Sequence, residues 1–310
     1  MSEDRTSSVV SDTLIGTELD DLTVVIVTLI GGAALHAIQA ALRGSVASVV
    51  TIDAAGSCFD AAGAVLGHSG VRNVPGRRRE ALRHVYTPFV AFVEDTVVPG
   101  DSWLSSITAS LGPKGIAATG GPMTISPTLP WRYQALGLTE YARFHDRNFG
   151  RLSDISSRPG AVTALSGANF AFRTECLRAV MSPDGDGLID NEVFSELRKG
   201  GHALIYEPAM AVNYAYAHIS DAMLRSRFDH GRIYASRLYE GAGTGQRLFG
   251  AFKTLFLPAV LFVRTFKEAW RSQQLNWGAM MWIAVMHLYW SAGEFFGIAV
   301  GDDNGVERWT

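Results

Sequence analysis

Acidic residues stand at several places in this 310-residue chain where they can meet a ligand. Glu94 and Asp95 directly follow the apolar run 89–93, and Asp53 closes the apolar run 46–52. Asp190 and Glu192 open a polar-faced segment, 190–199, that Gly200 and Gly201 stop. Acids at the start of a helix also stabilise its dipole, so these two have a structural reading as well. The triplet Arg77-Arg78-Arg79 follows Pro75-Gly76 and suits either a phosphate or a hydrated helix face. Ser166-Gly167-Ala168-Asn169 is a turn of small residues flanked by apolar ones. Further along, His218 follows an apolar stretch, and Arg227 and Arg232 lie in a basic segment.

The elements that must position these groups follow from pattern. Residues 22–30 form an unbroken apolar, β-branched run, as in a strand buried on both faces. Helix is predicted over 33–43, 57–66, 77–85 and 102–111, and strand over 46–52, 71–74, 89–93 and 116–119. Such alternation with short connections implies a parallel α/β sheet. Ligands bind such sheets beyond the carboxyl ends of the strands, where Asp53 and Glu94-Asp95 fall. After Gly120 the pattern gives helix at 131–144, a polar loop at 147–160, helix at 190–199, strands at 203–206 and 211–216 around Pro208, and helix at 221–238.

Composition narrows the classes. Hydrophobic residues are 47% and charged ones 18%, enough for a substantial core. A net charge of -3 shows no global basic excess for nucleic acid. Two cysteines, Cys58 and Cys176, exclude a disulfide scaffold and a Cys-rich zinc site. Three regions are expected: an acidic tail at 1–21, an α/β domain at 22–240 and an apolar helical region at 241–310.

Taken in order, the motifs resemble the family 2 glycosyltransferases, inverting enzymes with a nucleotide-sugar-binding GT-A fold. The resemblance runs over about 22–237. It is carried by Arg78-x-x-Ala81, Val90-Ala91-Phe92-Val93-Glu94-Asp95-Thr96, Pro99 with Trp103-Leu104, Gly120-Gly121-Pro122, Gly167-Ala168-Asn169 before Phe172-Arg173, the acidic segment 190–201, and Tyr206-Glu207-Pro208.

The resemblance implies that Asp53 contacts the nucleoside and that Arg78 lies near the base or diphosphate. The family's Asp-x-Asp motif falls on Glu94-Asp95-Thr96 and implies Mg or Mn on the diphosphate, with Asp95, Glu94 and His218 as ligands. Hard oxygen donors suit those ions. Thr96 departs from the pattern, standing where an acid is usual. Arg232 and Arg227 would lie near the diphosphate, and Gly167, Ala168 and Asn169 would shape the sugar or acceptor pocket. The general base falls on Asp190, with Glu192 second, and Ile189 replaces a usual acid. A nucleotide-binding scaffold without turnover is the rival reading that Thr96 and Ile189 leave open.

The apolar C-terminal region suggests a lipid-linked or polysaccharide acceptor at the cytoplasmic face of the cell membrane. Residues 248–266 carry Lys253, Pro258 and Arg264, which favours an interfacial segment. The 24 residues Trp277–Val300 are long enough to span or dip into a bilayer. His287 and Glu294, seven apart, share one face. The same segments could instead serve as core helices or in self-association, with a soluble acceptor.

Overall fold

The structure is a computed structural model that describes residues 19–42, 45–154, 160–182, 185–216 and 223–301. The elements in chain order are β1 (Leu22–Val27), α1 (Gly32–Leu42), β2 (Ser48–Ile52), β3 (Ser57–Phe59), β4 (Val65–His68), α2 (Val74–Leu82), β5 (Phe89–Glu94), β6 (Val97–Pro99), α3 (Trp103–Leu111), β7 (Ile116–Gly120), β8 (Met123–Ile125), α4 (Trp131–Tyr141), β9 (Asn169–Arg173), α5 (Thr174–Val180), α6 (Asp190–Lys199), β10 (Ala203–Tyr206), β11 (Val212–Tyr214), α7 (Met223–Leu238), α8 (Thr244–Thr254), α9 (Leu257–Arg271) and α10 (Trp277–Val300). The α/β expectation holds.

The main sheet has the order β10-β7-β9-β5-β1-β2-β3-β4, and β6-β11-β8 form a second, three-stranded sheet. β1 pairs in parallel with both β2 and β5, placing Val27 beside Ile52 on one side and Glu94 on the other. Only β3 and β9 run against the other strands of the main sheet. β1 and β5 are buried at every position, as their unbroken apolar runs require. The core lies on both faces. One layer gathers Trp103, Ile107 and Met123, and the other Phe92, Phe170, Phe172 and Phe194.

Three local expectations are corrected. Residues 57–66, predicted as a helix, form the β3–β4 hairpin. Asp60 Oδ1 accepts from Ala62 N at 2.9 Å and Ala64 N at 2.8 Å, and Gly63 takes a φ of 84°, so an aspartate turn defeats the alanine-rich helix signal. Residues 71–74 form no strand, because Val74 already begins α2. Asn73 Oδ1 caps that helix by accepting from Gly76 N at 2.7 Å, and Pro75 occupies its first turn. The polar stretch 147–160, expected as a loop, begins with a 3-10 turn over Asp146–Arg151. Buried Asn148 pins this turn by donating to Ala142 O at 2.7 Å and Glu268 O at 3.0 Å. Residues 155–159 lie outside the described residues.

The apolar end forms three helices rather than two. α8 and α9 meet at a bend of 55° ahead of Pro258. α10 is long and apolar enough to cross a membrane by length and composition. It packs along α7 through glycines. A Cβ on Gly293 would stand 2.0 Å from Phe228 O, and one on Gly297 2.3 Å from Arg232 O. α10 also packs on α4, where a Cβ on Gly278 would stand 2.3 Å from the Trp131 ring, and Ala279, Ile283, Met286 and Ile298 are buried along its length.

Candidate active site

The cleft that could hold substrates has a volume of about 1030 Å³. It opens between the carboxyl ends of β1 and β5, the start of α6, and helices α4, α7, α9 and α10. Arg78 is its centre. From buried α2 its guanidinium donates to Asp190 Oδ1 at 2.7 Å, Glu94 Oε1 at 3.0 Å and Gly167 O at 2.7 Å. It also lies over the Phe170 ring, 5.2 Å from the centroid. A planar fork spreads its donors over acceptors on three separate elements, where a lysine ammonium would draw all its donors from one atom.

The loop before α6 places Asp190. Leu188 N donates to Pro75 O at 2.9 Å, tying that loop to the start of α2. Gly187, with a φ of 114°, passes so close that a Cβ would stand 2.3 Å from Pro75 O. Gly167 has a second steric role, since a Cβ there would meet Asp190 Oδ2 at 2.2 Å. Its missing side chain is what lets the carboxylate sit beside Arg78.

The electrostatics follow from this packing. Burial raises the Asp190 pKa above the usual aspartate value, while Arg78 and then Arg143 pull it down. Burial likewise raises Glu94, opposed by Arg78 and assisted by the charge of Asp190. The Tyr141 hydroxyl donates to Glu94 Oε2 at 3.3 Å. Burial and the nearby Glu94 charge raise that phenol as well.

Glu94 and Asp95, adjacent in sequence, have different environments. Glu94 lines the cleft. Asp95 is fully buried and does not. Its carboxylate accepts from Leu29 N at 2.8 Å, Ile30 N at 3.2 Å and Gly31 N at 2.6 Å, fixing the β1–α1 loop. The expected cation ligands therefore fit an ion poorly. Glu94 is paired with Arg78, Asp95 is saturated by backbone amides, and Thr96 offers a neutral hydroxyl. His218 lies outside the described residues. Among the described residues no three of His, Cys, Asp or Glu gather as a metal site.

The remaining expected residues divide. Ala168 lines the cleft, but Asn169 stands behind its wall. Its side chain accepts from Trp103 Nε1 and donates to Met210 O, both at 2.8 Å. It therefore braces the pocket instead of facing it. Asp53 Oδ1 holds the next turn through Ala55 N and Ser57 N, both at 2.9 Å, and does not line the cleft. Of the arginine triplet only Arg78 reaches it. Arg77 donates to Thr28 O at 2.7 Å, and Arg79 donates to Gly185 O. Glu192 points away into an ion pair with Arg237. Arg232 donates to Gly301 O at 3.0 Å, at the far end of α10. Arg227 faces the cleft, paired with Glu140 and lying over Trp290 at 4.5 Å.

Sequence reasoning missed Glu140, Tyr141, Arg143, His230 and Arg264, all of which line the cleft. The available signal was the polar cluster 140–143 ending an otherwise apolar helix. Burial lowers His230 to about 4, so it is neutral near pH 7.

The fold matches that of solved structures. A mannosyltransferase from Pyrobaculum calidifontis, in complex with GDP-Man and Mn2+, superposes with a TM-score of 0.53 at 14% identity, over 88% of this chain and 85% of that one. The fold is that of GT-A glycosyltransferases. Glucosyl-3-phosphoglycerate synthase from Mycobacterium tuberculosis is a more distant likeness of this GT-A chain, with a TM-score of 0.41 at 15% identity over 71% and 78% of the two chains. No protein-family model matches the sequence, and no curated protein matches it.

Proposed function

We propose that this GT-A chain is a glycosyltransferase that moves a sugar, with inversion, from a nucleoside-diphosphate donor to a lipid-linked or glycan acceptor. The carrying observation is the carboxylate of Asp190. It faces a cleft at the carboxyl ends of the parallel strands, held by Arg78 with room left by Gly167. An inverting transfer needs one carboxylate to take the proton from the acceptor hydroxyl. The acceptor oxygen then attacks the anomeric carbon from the face opposite the diphosphate, which leaves with the bonding electrons. Asp190 is that base. Arg78 keeps it oriented and charged. Glu192, turned out to Arg237, has no such access.

The outer faces of α8, α9 and α10 expose Phe249, Phe252, Phe256, Val260, Trp270 and Met281. We place this surface on the cytoplasmic face of the cell membrane, where nucleotide sugars are made. α10 then lies along the membrane rather than across it. Its other face is packed on α7, α4, α9 and α8, and α7 carries Arg225, Asp229 and Arg232, charges of a kind that are costly in hydrocarbon.

Two measurements test the reading. Thermal stabilisation by a panel of nucleoside diphosphates, with and without Mn2+, reports the donor site by mass action. Asp190→Asn should keep nucleotide affinity within about twofold and lose on the order of 10²–10⁴ in transfer rate. Full turnover in that variant would remove Asp190 from the role. A nucleotide shift with no turnover in the unaltered protein would favour a binding scaffold, the reading to which the amide-saturated Asp95 and the neutral Thr96 lend support.

A further inference from the structure

The cleft extends well past the ion-pair centre. Its far walls are apolar: Leu238 and Tyr234 from α7, Leu257 and Leu261 from α9, and Trp290 from α10. On the adjoining face of α9 Val260 is exposed, as is Phe256 just before the helix, so α9 borders both the cleft and the outer apolar surface. A volume of about 1030 Å³ is at the upper end for a single small-molecule site, and it leaves room for two substrates.

Two guanidinium groups also line this cleft. Arg143 comes from the 3-10 turn Ala142–Phe144, and Arg264 comes from α9, which packs on that turn. Both are exposed, and neither makes a hydrogen bond or a salt bridge within 4 Å among the described residues. Three other arginines of the cleft are engaged: Arg78 with Glu94 and Asp190, Arg227 with Glu140, and Arg225 with Asp229 at 3.8 Å, while exposed Arg72 lines the cleft from the loop before α2. The nearest acid on α9, buried Glu268, pairs with Arg151 at 3.6 Å. The surrounding protein lowers the Arg143 pKa, and the positive charge of Arg264 is the next largest influence. Arg143 in turn acts on Asp190, second only to Arg78. The two cations therefore stand near each other, close to the base and ahead of the apolar walls.

We propose that Arg143 and Arg264 grip the phosphate of an amphiphilic acceptor whose hydrocarbon chain runs along Leu257 and Leu261 to the outer face of α9. Two guanidinium forks with no carboxylate within 4 Å among the described residues, though Glu268 and Glu140 stand near enough to act on them, match a phosphate in charge and geometry. The apolar walls match what is attached to it. This rests on the glycosyltransferase reading for the word acceptor, and on the cleft alone for the binding site.

The test uses the full chain in neutral detergent, with farnesyl phosphate, farnesol and inorganic phosphate as probes and binding read by isothermal titration calorimetry. Farnesyl phosphate should bind at least tenfold more tightly than either of the other two. The double variant R143Q/R264Q should lose that preference, and R143K/R264K should recover part of it. Nucleoside-diphosphate affinity, measured in parallel, should stay within twofold in both variants. Equal binding of farnesol and farnesyl phosphate would overturn the proposal. So would loss of nucleotide affinity in place of farnesyl phosphate affinity, since the arginines would then belong to the donor. Nucleotide binding without a farnesyl phosphate site would sink this inference and leave the transferase reading standing. The reverse pattern would sink the transferase reading and leave the site. Competition by phosphatidylglycerol vesicles would identify bulk lipid headgroups as the source of the phosphate, and lack of competition a dedicated acceptor.

Discussion

The two halves of the cleft are built in different ways. At the sheet end the buried charges are tied to one another. Arg78 is almost wholly buried and bridges Glu94, Asp190 and Gly167 O, and the elements that carry them are themselves locked together. At the helical end Arg143, lying over the Phe144 ring at 4.4 Å, and Arg264 line the cleft beside apolar side chains, with no ion pair within 4 Å among the described residues. The first half is complete before any ligand arrives, as a group that must sit at a fixed angle to a reacting carbon requires. The second leaves its charge and its apolar surface for a ligand to complete. Reaction geometry is preset by the fold, while the choice of acceptor is left to contacts that form on binding.

Several measurements would break or sharpen this contrast. The largest effect belongs to the sheet end. Arg78→Met leaves two buried carboxylates without their partner and should cost about 3–5 kcal/mol of stability, read by denaturant unfolding. Arg264→Gln, at the open end, should change stability by less than about 0.5 kcal/mol. Equal losses would show that the halves are not built differently.

The pH profile gives a finer comparison. Burial raises both Glu94 and Asp190, so the folded protein binds protons more tightly than the unfolded chain. Their contribution to stability is thus fully present below the ordinary carboxylate range and is lost as pH rises through the folded values. Transfer should run the other way. It should fall as pH drops through the raised Asp190 value, at a higher pH than an exposed aspartate would give. Asp190→Asn should flatten the stability slope, as chemical unfolding across pH would report. An unchanged slope would mean that the carboxylate is not perturbed.

The smallest effect separates two neighbours on one helix. Glu192→Gln removes an exposed ion pair with Arg237 and should alter stability by roughly 0–1 kcal/mol and transfer by less than about twofold. A loss comparable to that of Asp190→Asn would reassign the base.

Much of this architecture can be read from the residues. The apolar runs at β1 and β5 can satisfy their periodicity only as strands buried on both faces, and the acids that follow them must then lie at the carboxyl edge. Asp190 at the head of a polar-faced helix is likewise a local feature. The hairpin at 57–68 is not legible from propensity, because its turn rests on two side-chain hydrogen bonds, from Ala62 N and Ala64 N to Asp60 Oδ1, that propensity does not register.

What the sequence determined by itself is the alternation of buried strands and helices through β1, α1, β2, β5, α3 and β7 and the edge where chemistry can occur, because both follow from short-range periodicity. Only the tertiary structure decided which acids face that edge. Glu94 and Asp95 are one residue apart, yet the strand's alternation turns one toward Arg78 and the other into the amides of residues 29–31. Asp190 and Glu192 part in the same way around a helix. The pairing of Arg143 with Arg264, 121 positions later in the chain (264 − 143), exists only because α9 folds back onto the end of α4. Contacts between groups so distant in sequence are set by packing, which no local pattern encodes.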